Sequence, residues 1–82
     1  MNEKVRQVLA QHARLATDVS ALSDEADLYQ AGMTSHASVN VMLALEDAFD
    51  VEFPDRMLRR EVFGSVVSIQ DALSDLLVGV PS

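Results

Sequence analysis

Cysteine is absent from the 82 residues, so neither disulfides nor thiolate metal sites hold the chain together, and no oxidising compartment is implied. Bases are scarce: 6 Lys and Arg stand against 13 Asp and Glu, a formal net charge of -7. That balance repels nucleic-acid phosphates and anionic membrane surfaces and favours partners with basic faces. Also missing is a long apolar run near the start, where residues 1–15 alternate charged and apolar side chains. No secretory signal or membrane span can be read there, and a cytoplasmic location is expected by default. A chain of this length has room for one domain, residues 1–82, with a single modest core. It cannot house a catalytic cleft and a second module, and its size favours a monomer.

What is present is helical spacing. Val5, Val8, Leu9 and Leu15 predict an amphipathic helix from Asn2 to about Ala16, with His12 on the apolar stripe as a boundary residue that packs its ring. From Thr17 to Thr34 the periodicity fails, leaving a long loop. Leu22, Leu28, Tyr29 and Met33 are scattered along it as apolar anchors, which argues for order. Ser35 opens a second helix ending near Asp50, its buried stripe expected at Val39, Met42, Leu45 and Phe49. Pro54 suits the first position of a short helix through about Arg60. Ser68-Ile69-Gln70-Asp71 has capping-box spacing ahead of a last helix from Ser68 to Val78. The reading is an all-α, up-and-down-like four-helix bundle, three helices long and one short. Its core is expected from Val5, Leu9, Leu15, Leu28, Met42, Leu45, Phe49, Ile69, Leu73 and Leu76. The one short alternating run, Phe49 to Phe53, stops at Pro54, so strands are not expected.

On the second helix, His36, Asn40, Leu43 and Asp47 share one outward face with Ser35 at its head. A serine opening a helix is ordinarily an N-cap, accepting a backbone N–H. Thr34 caps equally well. If it does, Ser35 stands free at a helix N-terminus, where unpaired N–H groups and the positive dipole end favour a phosphate ester. An enzyme built on Ser35 would need a base, yet His36 points about 100° away around the helix, and no GxSxG elbow is present. The acids Asp47, Asp50, Glu52 and Asp55 lack the calcium-loop glycine and terminal glutamate, so a solvated rim is expected. Arg56, Arg59 and Arg60 interrupt an acidic chain and read as internally paired or solvated before they read as a partner contact.

The stretch Asp24 to Ser35, followed by Val39 to Phe49 and Asp50-Val51-Glu52-Phe53-Pro54-Asp55, resembles the acyl carrier protein family over most of the chain. In that family a glycine lies three residues before a modified serine, and an Ala-Leu-Glu-x-x-Phe-Asp-hydrophobic-x-hydrophobic-Pro segment closes the second helix. Gly32, and Ala44 through Pro54, stand at those offsets. The resemblance implies a 4'-phosphopantetheine arm from coenzyme A, attached to Ser35 by a phosphopantetheinyl transferase and ending in a thiol that holds cargo as a thioester. It implies a tether for partner enzymes, not an enzyme. Partners are expected to dock beside Ser35 on the face of His36, Asn40, Leu43 and Asp47. Thr34, His36 and Asn40 depart from the Asp, Leu and Glu common at those places and remove negative charge that fatty-acid partners read.

Asp24 to Phe63 is most similar to stand-alone bacterial aminoacyl carrier proteins. These pair with ligases related to seryl-tRNA synthetases that lack the tRNA-binding arm. This implies glycine or alanine as cargo, with the downstream acceptor left open. Two alternatives stay open as well: an acyl or peptidyl carrier in fatty-acid, polyketide or nonribosomal peptide synthesis, and an unmodified helical adaptor binding through Leu43 and the Met57-Leu58 segment. The absence of cysteine suits a carrier, since no internal thiol competes for a thioester.

Overall fold

The computed structural model describes residues 2–78. In chain order they form α1 (Asn2–His12), a 3-10 turn at Val19–Ala21, α2 (Ser35–Phe49), a second 3-10 turn at Asp55–Met57, and α3 (Val66–Val78). No strand occurs among the described residues. The all-α expectation holds, while the count of four helices becomes three α-helices and two 3-10 turns. α1 packs against both α2 and α3. One core cluster unites all three helices with the loops between them.

The expected start of α1, both ends of α2 to within a residue and the end of α3 hold, while the end of α1, the start of α3 and the short helix shift, each for a local reason. α1 ends at His12, not Ala16. Ala13 still donates its N–H to the Leu9 carbonyl at 2.9 Å, but Arg14 turns left-handed at φ 55 and stops the ladder. The Ala16 N–H then donates across the molecule to the Ala31 carbonyl at 2.9 Å. α3 begins at Val66, two residues before the expected Ser68. The capping box is Ser65 with Ser68: the Ser65 hydroxyl accepts the Ser68 N–H at 3.2 Å and the Ser68 hydroxyl accepts the Ser65 N–H at 3.1 Å. The expected short helix through Arg60 is a single 3-10 turn, with Pro54 preceding it rather than opening it. All its bonds, and those of the turn after it, span three residues, among them Met57 N–H to the Pro54 carbonyl and Val62 N–H to the Arg59 carbonyl. Phe53, Met57 and Phe63 all go into the core from this segment, at a spacing no single helical face supplies.

α2 keeps its expected start and is rotated about its axis. Ala37, Val41 and Leu45 are its buried residues, Met42 and Phe49 are half-buried, and Val39 is 50% exposed. Its end explains the segment closing it. Asp50 is a left-handed cap at φ 54, the Val51 N–H donates to the Glu46 carbonyl at 3.1 Å, and the Glu46 carboxylate accepts the Phe53 N–H at 2.8 Å. That places Phe53 edge-on to Phe63, ring centroids 5.3 Å apart. Of the expected core, Val5, Leu9, Leu28, Leu45, Ile69 and Leu73 are fully buried. Leu15, Met42, Phe49 and Leu76 pack at its margin. Each fully buried Leu or Ile contributes roughly 1.5–3 kcal/mol relative to exposure. Val41 and Val66, absent from the expected list, are equally buried.

The long first loop is pinned as expected. Val19, Leu28 and Met33 are buried, and Leu22 and Tyr29 lie half-buried against the core. Hydrogen bonds tie it to the entry of α3, from the Leu28 N–H to the Gly64 carbonyl at 2.7 Å and from the Val67 N–H to the Asp24 carbonyl at 3.0 Å.

Candidate functional site

The loop delivers Ser35 to α2 through a short series of forced conformations. The Asp27 carboxylate accepts the Tyr29 N–H at 2.9 Å, turning the chain. The Gly32 and Met33 N–H groups then donate back to the Tyr29 and Leu28 carbonyls. Gly32 adopts φ +119, and a Cβ there would stand 3.0 Å from the Ala16 backbone nitrogen. Both facts require glycine, which gives a physical reason for a glycine three residues before the serine. Met33 then plugs into the core. Thr34, extended at φ -86 and ψ 166, caps α2: its hydroxyl accepts the Ala37 N–H at 3.0 Å.

The open question of the cap is thereby answered. Ser35 is the first helical residue, exposed, and its hydroxyl is not the cap. Its carbonyl accepts the Ser38 hydroxyl at 2.7 Å. No acid lies in the first turn of α2, so the positive end of a 15-residue helix meets the Ser35 side chain uncompensated.

Ser35 opens onto a groove of about 370 Å³. Val39, Met42, Leu58 and Phe63 give it an apolar floor, and Arg59 and Arg60 line it on the side of the second 3-10 turn. Met57 from that turn is buried while Leu58 stays 47% exposed, so Met57, not Leu58, closes the bundle at this end. The Arg60 guanidinium lies over the Tyr29 ring, 3.9 Å from its centroid. The spacing of residues gives no sign of this groove, because its walls come from a loop, a helix and the segment that follows the second 3-10 turn. Only the arginine cluster was visible in the sequence. Among the described residues the ion pair is Arg6 with Asp24, and none of these three arginines takes part in one.

The face expected for docking divides. His36, Asn40, Leu43 and Asp47 are all exposed, Leu43 by 53%. Asn40, Leu43 and Asp47 share a second, open hollow with Gln11 and His12 of α1, and His36 stands outside it. His12 is half-buried, as a boundary residue. No group of three metal-ligating side chains occurs among the described residues, and none of their helices is long and apolar enough to cross a membrane.

A phosphodiester-linked arm fits this setting. The hydroxyl that would carry it is exposed at a helix N-terminus, free of capping duty and beside a groove with two cations. A family model described as a phosphopantetheine attachment site matches residues 3–73. The chain belongs to this family. The prosthetic group of phosphopantetheine-attachment proteins is 4'-phosphopantetheine. Within the family, the chain is 48% identical over 79 residues to the aminoacyl carrier protein of Agrobacterium fabrum, covering 96% of this chain and 95% of that one. Among solved structures it is similar, at TM-score 0.88 and 49% identity, to a chain in the crystal structure of an engineered Bradyrhizobium japonicum glycine:[carrier protein] ligase complexed with a carrier protein from Agrobacterium tumefaciens and AMP. That match covers 90% of this chain and 99% of the other. A more distant likeness, at TM-score 0.74 and 28% identity over 87% of this chain and 95% of the other, is to a chain in the Bradyrhizobium japonicum ligase complexed with glycylated carrier protein.

Proposed function

We propose that this member of the phosphopantetheine-attachment family is an aminoacyl carrier, with the arm on Ser35 and glycine or alanine as cargo. The observation that carries the assignment of the residue is the Thr34 cap, which leaves the adjacent Ser35 hydroxyl exposed and uncommitted. The near full-length similarity to an aminoacyl carrier protein, and to a chain crystallised with a glycine ligase, supports the cargo class. The arm, when bound, supplies a terminal thiol that holds the amino acid as a thioester. The chain's own residues supply the rest: a rigid helix end that fixes the root of the arm, and a surface for partners. The chain needs no catalytic group of its own in this role. A phosphopantetheinyl transferase installs the arm, and an amino acid:[carrier protein] ligase related to seryl-tRNA synthetase loads it, in the cytoplasm. The face of Asn40, Leu43 and Asp47, with His36 at its edge, serves the docking of these partners. Loss of negative charge there relative to fatty-acid carriers favours dedicated partners over general ones.

Intact mass after incubation with coenzyme A and a broad-specificity transferase tests the reading. One arm is expected on the wild type and none on Ser35→Ala. The holo protein is then expected to gain glycine or alanine with ATP and a glycine:[carrier protein] ligase. An arm that persists in Ser35→Ala would remove the site. An arm that accepts neither amino acid would return the chain to the acyl carriers.

A further inference from the structure

We propose that Arg59 and Arg60 form an anion site for the phosphodiester at the root of the arm, holding it toward the groove between α2 and the segment that follows the second 3-10 turn. The proposal rests on the reading of Ser35 as the attachment residue. Three observations carry it. First, both arginines line the groove that Ser35 lines, and no carboxylate does. In a chain with 13 acids and 6 bases, that is a local reversal of sign. Second, neither arginine is spent in an ion pair among the described residues, where the pair is Arg6 with Asp24. Third, Arg60 is already positioned. Its guanidinium carbon lies over the Tyr29 ring, 3.9 Å from the centroid, a cation–π contact that fixes the charge beside the groove without using an N–H donor, and those donors are the ones with which arginine binds phosphate. Tyr29 is held in turn by the loop: its backbone N–H donates to Asp27 and its ring lies half-buried on the core. A phosphate ester on Ser35 would thus meet the N–H groups of α2 from one side and two guanidinium groups from another.

The family's usual acid before the serine is Thr34 here, so no carboxylate stands beside Ser35 in the chain to repel a phosphate. The root of the arm is therefore oriented by its own carrier, before any partner binds.

The test uses holo protein whose arm has been verified by mass. Its single phosphorus resonance is expected to move when Arg59 and Arg60 are both changed to Gln, and to return part-way with Lys at both. The Nε–Hε resonances of Arg59 and Arg60 are expected to shift between apo and holo protein by more than that of Arg6, which serves as internal control. If the arm is present and the phosphorus resonances of wild type and Gln variant coincide, the anion site is wrong and the carrier reading stands. If no arm attaches to Ser35, both fall together. A shift of the arginines on adding coenzyme A to Ser35→Ala, without one in holo protein, overturns the site in favour of free nucleotide binding.

Discussion

Two neighbouring hydroxyls at the head of α2 have opposite duties. Thr34 satisfies the Ala37 N–H, one of the donors every helix leaves unpaired at its start. Ser35 does no such work. Thr34→Ala is therefore expected to cost about 1 kcal/mol of stability, and Ser35→Ala to stay within about 0.5 kcal/mol of wild type, both read as urea midpoints at unchanged slope. The reverse order would mean that Ser35 caps the helix and is not free for an ester. The sequence left this choice open because both residue types cap well and spacing cannot rank two adjacent candidates. It did reveal Gly32 as a required glycine through resemblance, while the reason, a backbone only 3.0 Å from where a Cβ would sit, needed three dimensions. The burial pattern of α2 misled for a related cause. Ala37 counts for little in a hydrophobic stripe, yet it is buried where the larger Val39 is exposed.

At the level of elements, the links between helices matter more than the helices. Arg6 on α1 donates to the Val19 carbonyl at 2.6 Å and to the Asp24 carboxylate at 2.6 Å, and Asn2 donates to the same carboxylate oxygen at 3.0 Å. This clip fastens both ends of the first part of the loop to one helix. The Arg6 hydrogen bond foremost, with that of Asn2, holds the Asp24 carboxyl below its ordinary value of 3.8. Between the folded and unfolded values the unfolded chain binds more protons. The clip's contribution is thus complete above the unfolded value and is lost as pH falls through the folded one. Because the Asp24 side chain is 44% exposed, solvent screens the pair and the effect is modest. Arg6→Gln is expected to flatten the fall in urea midpoint between about pH 5 and about pH 2 relative to wild type. Parallel acid limbs would show that the clip does not form in solution. Helix existence was legible from apolar spacing for all three helices, and so were both ends of α2, the start of α1 and the end of α3, whereas the end of α1 and the start of α3 were not. Those ends were set by a left-handed Arg14 and by a Ser65–Ser68 box one turn before the expected one. Both are backbone events that a hydrophobic pattern does not record.

For the molecule as a whole, the loop is part of the core. Leu28 is fully buried, with Val19 and Met33 nearly so, and the loop is bonded to α1 through Arg6 and to the start of α3 through Leu28 and Val67. Releasing it would uncover apolar surface belonging to all three helices, so it cannot open cheaply. A chain of this size with one core is expected to unfold in a single cooperative step. The composition supplies a test, because the chain contains one tyrosine and no tryptophan, and that tyrosine, Tyr29, sits in the loop. Tyrosine fluorescence therefore reports the loop alone and far-UV circular dichroism reports the helices. Their urea transitions are expected to share one midpoint and one slope. A Tyr29 transition at lower urea would show the loop to be a separate low-stability unit. Ser35 would then hang from a segment that opens on its own, and the orientation of the arm by Arg60 stacked on Tyr29 would persist only while that segment is closed.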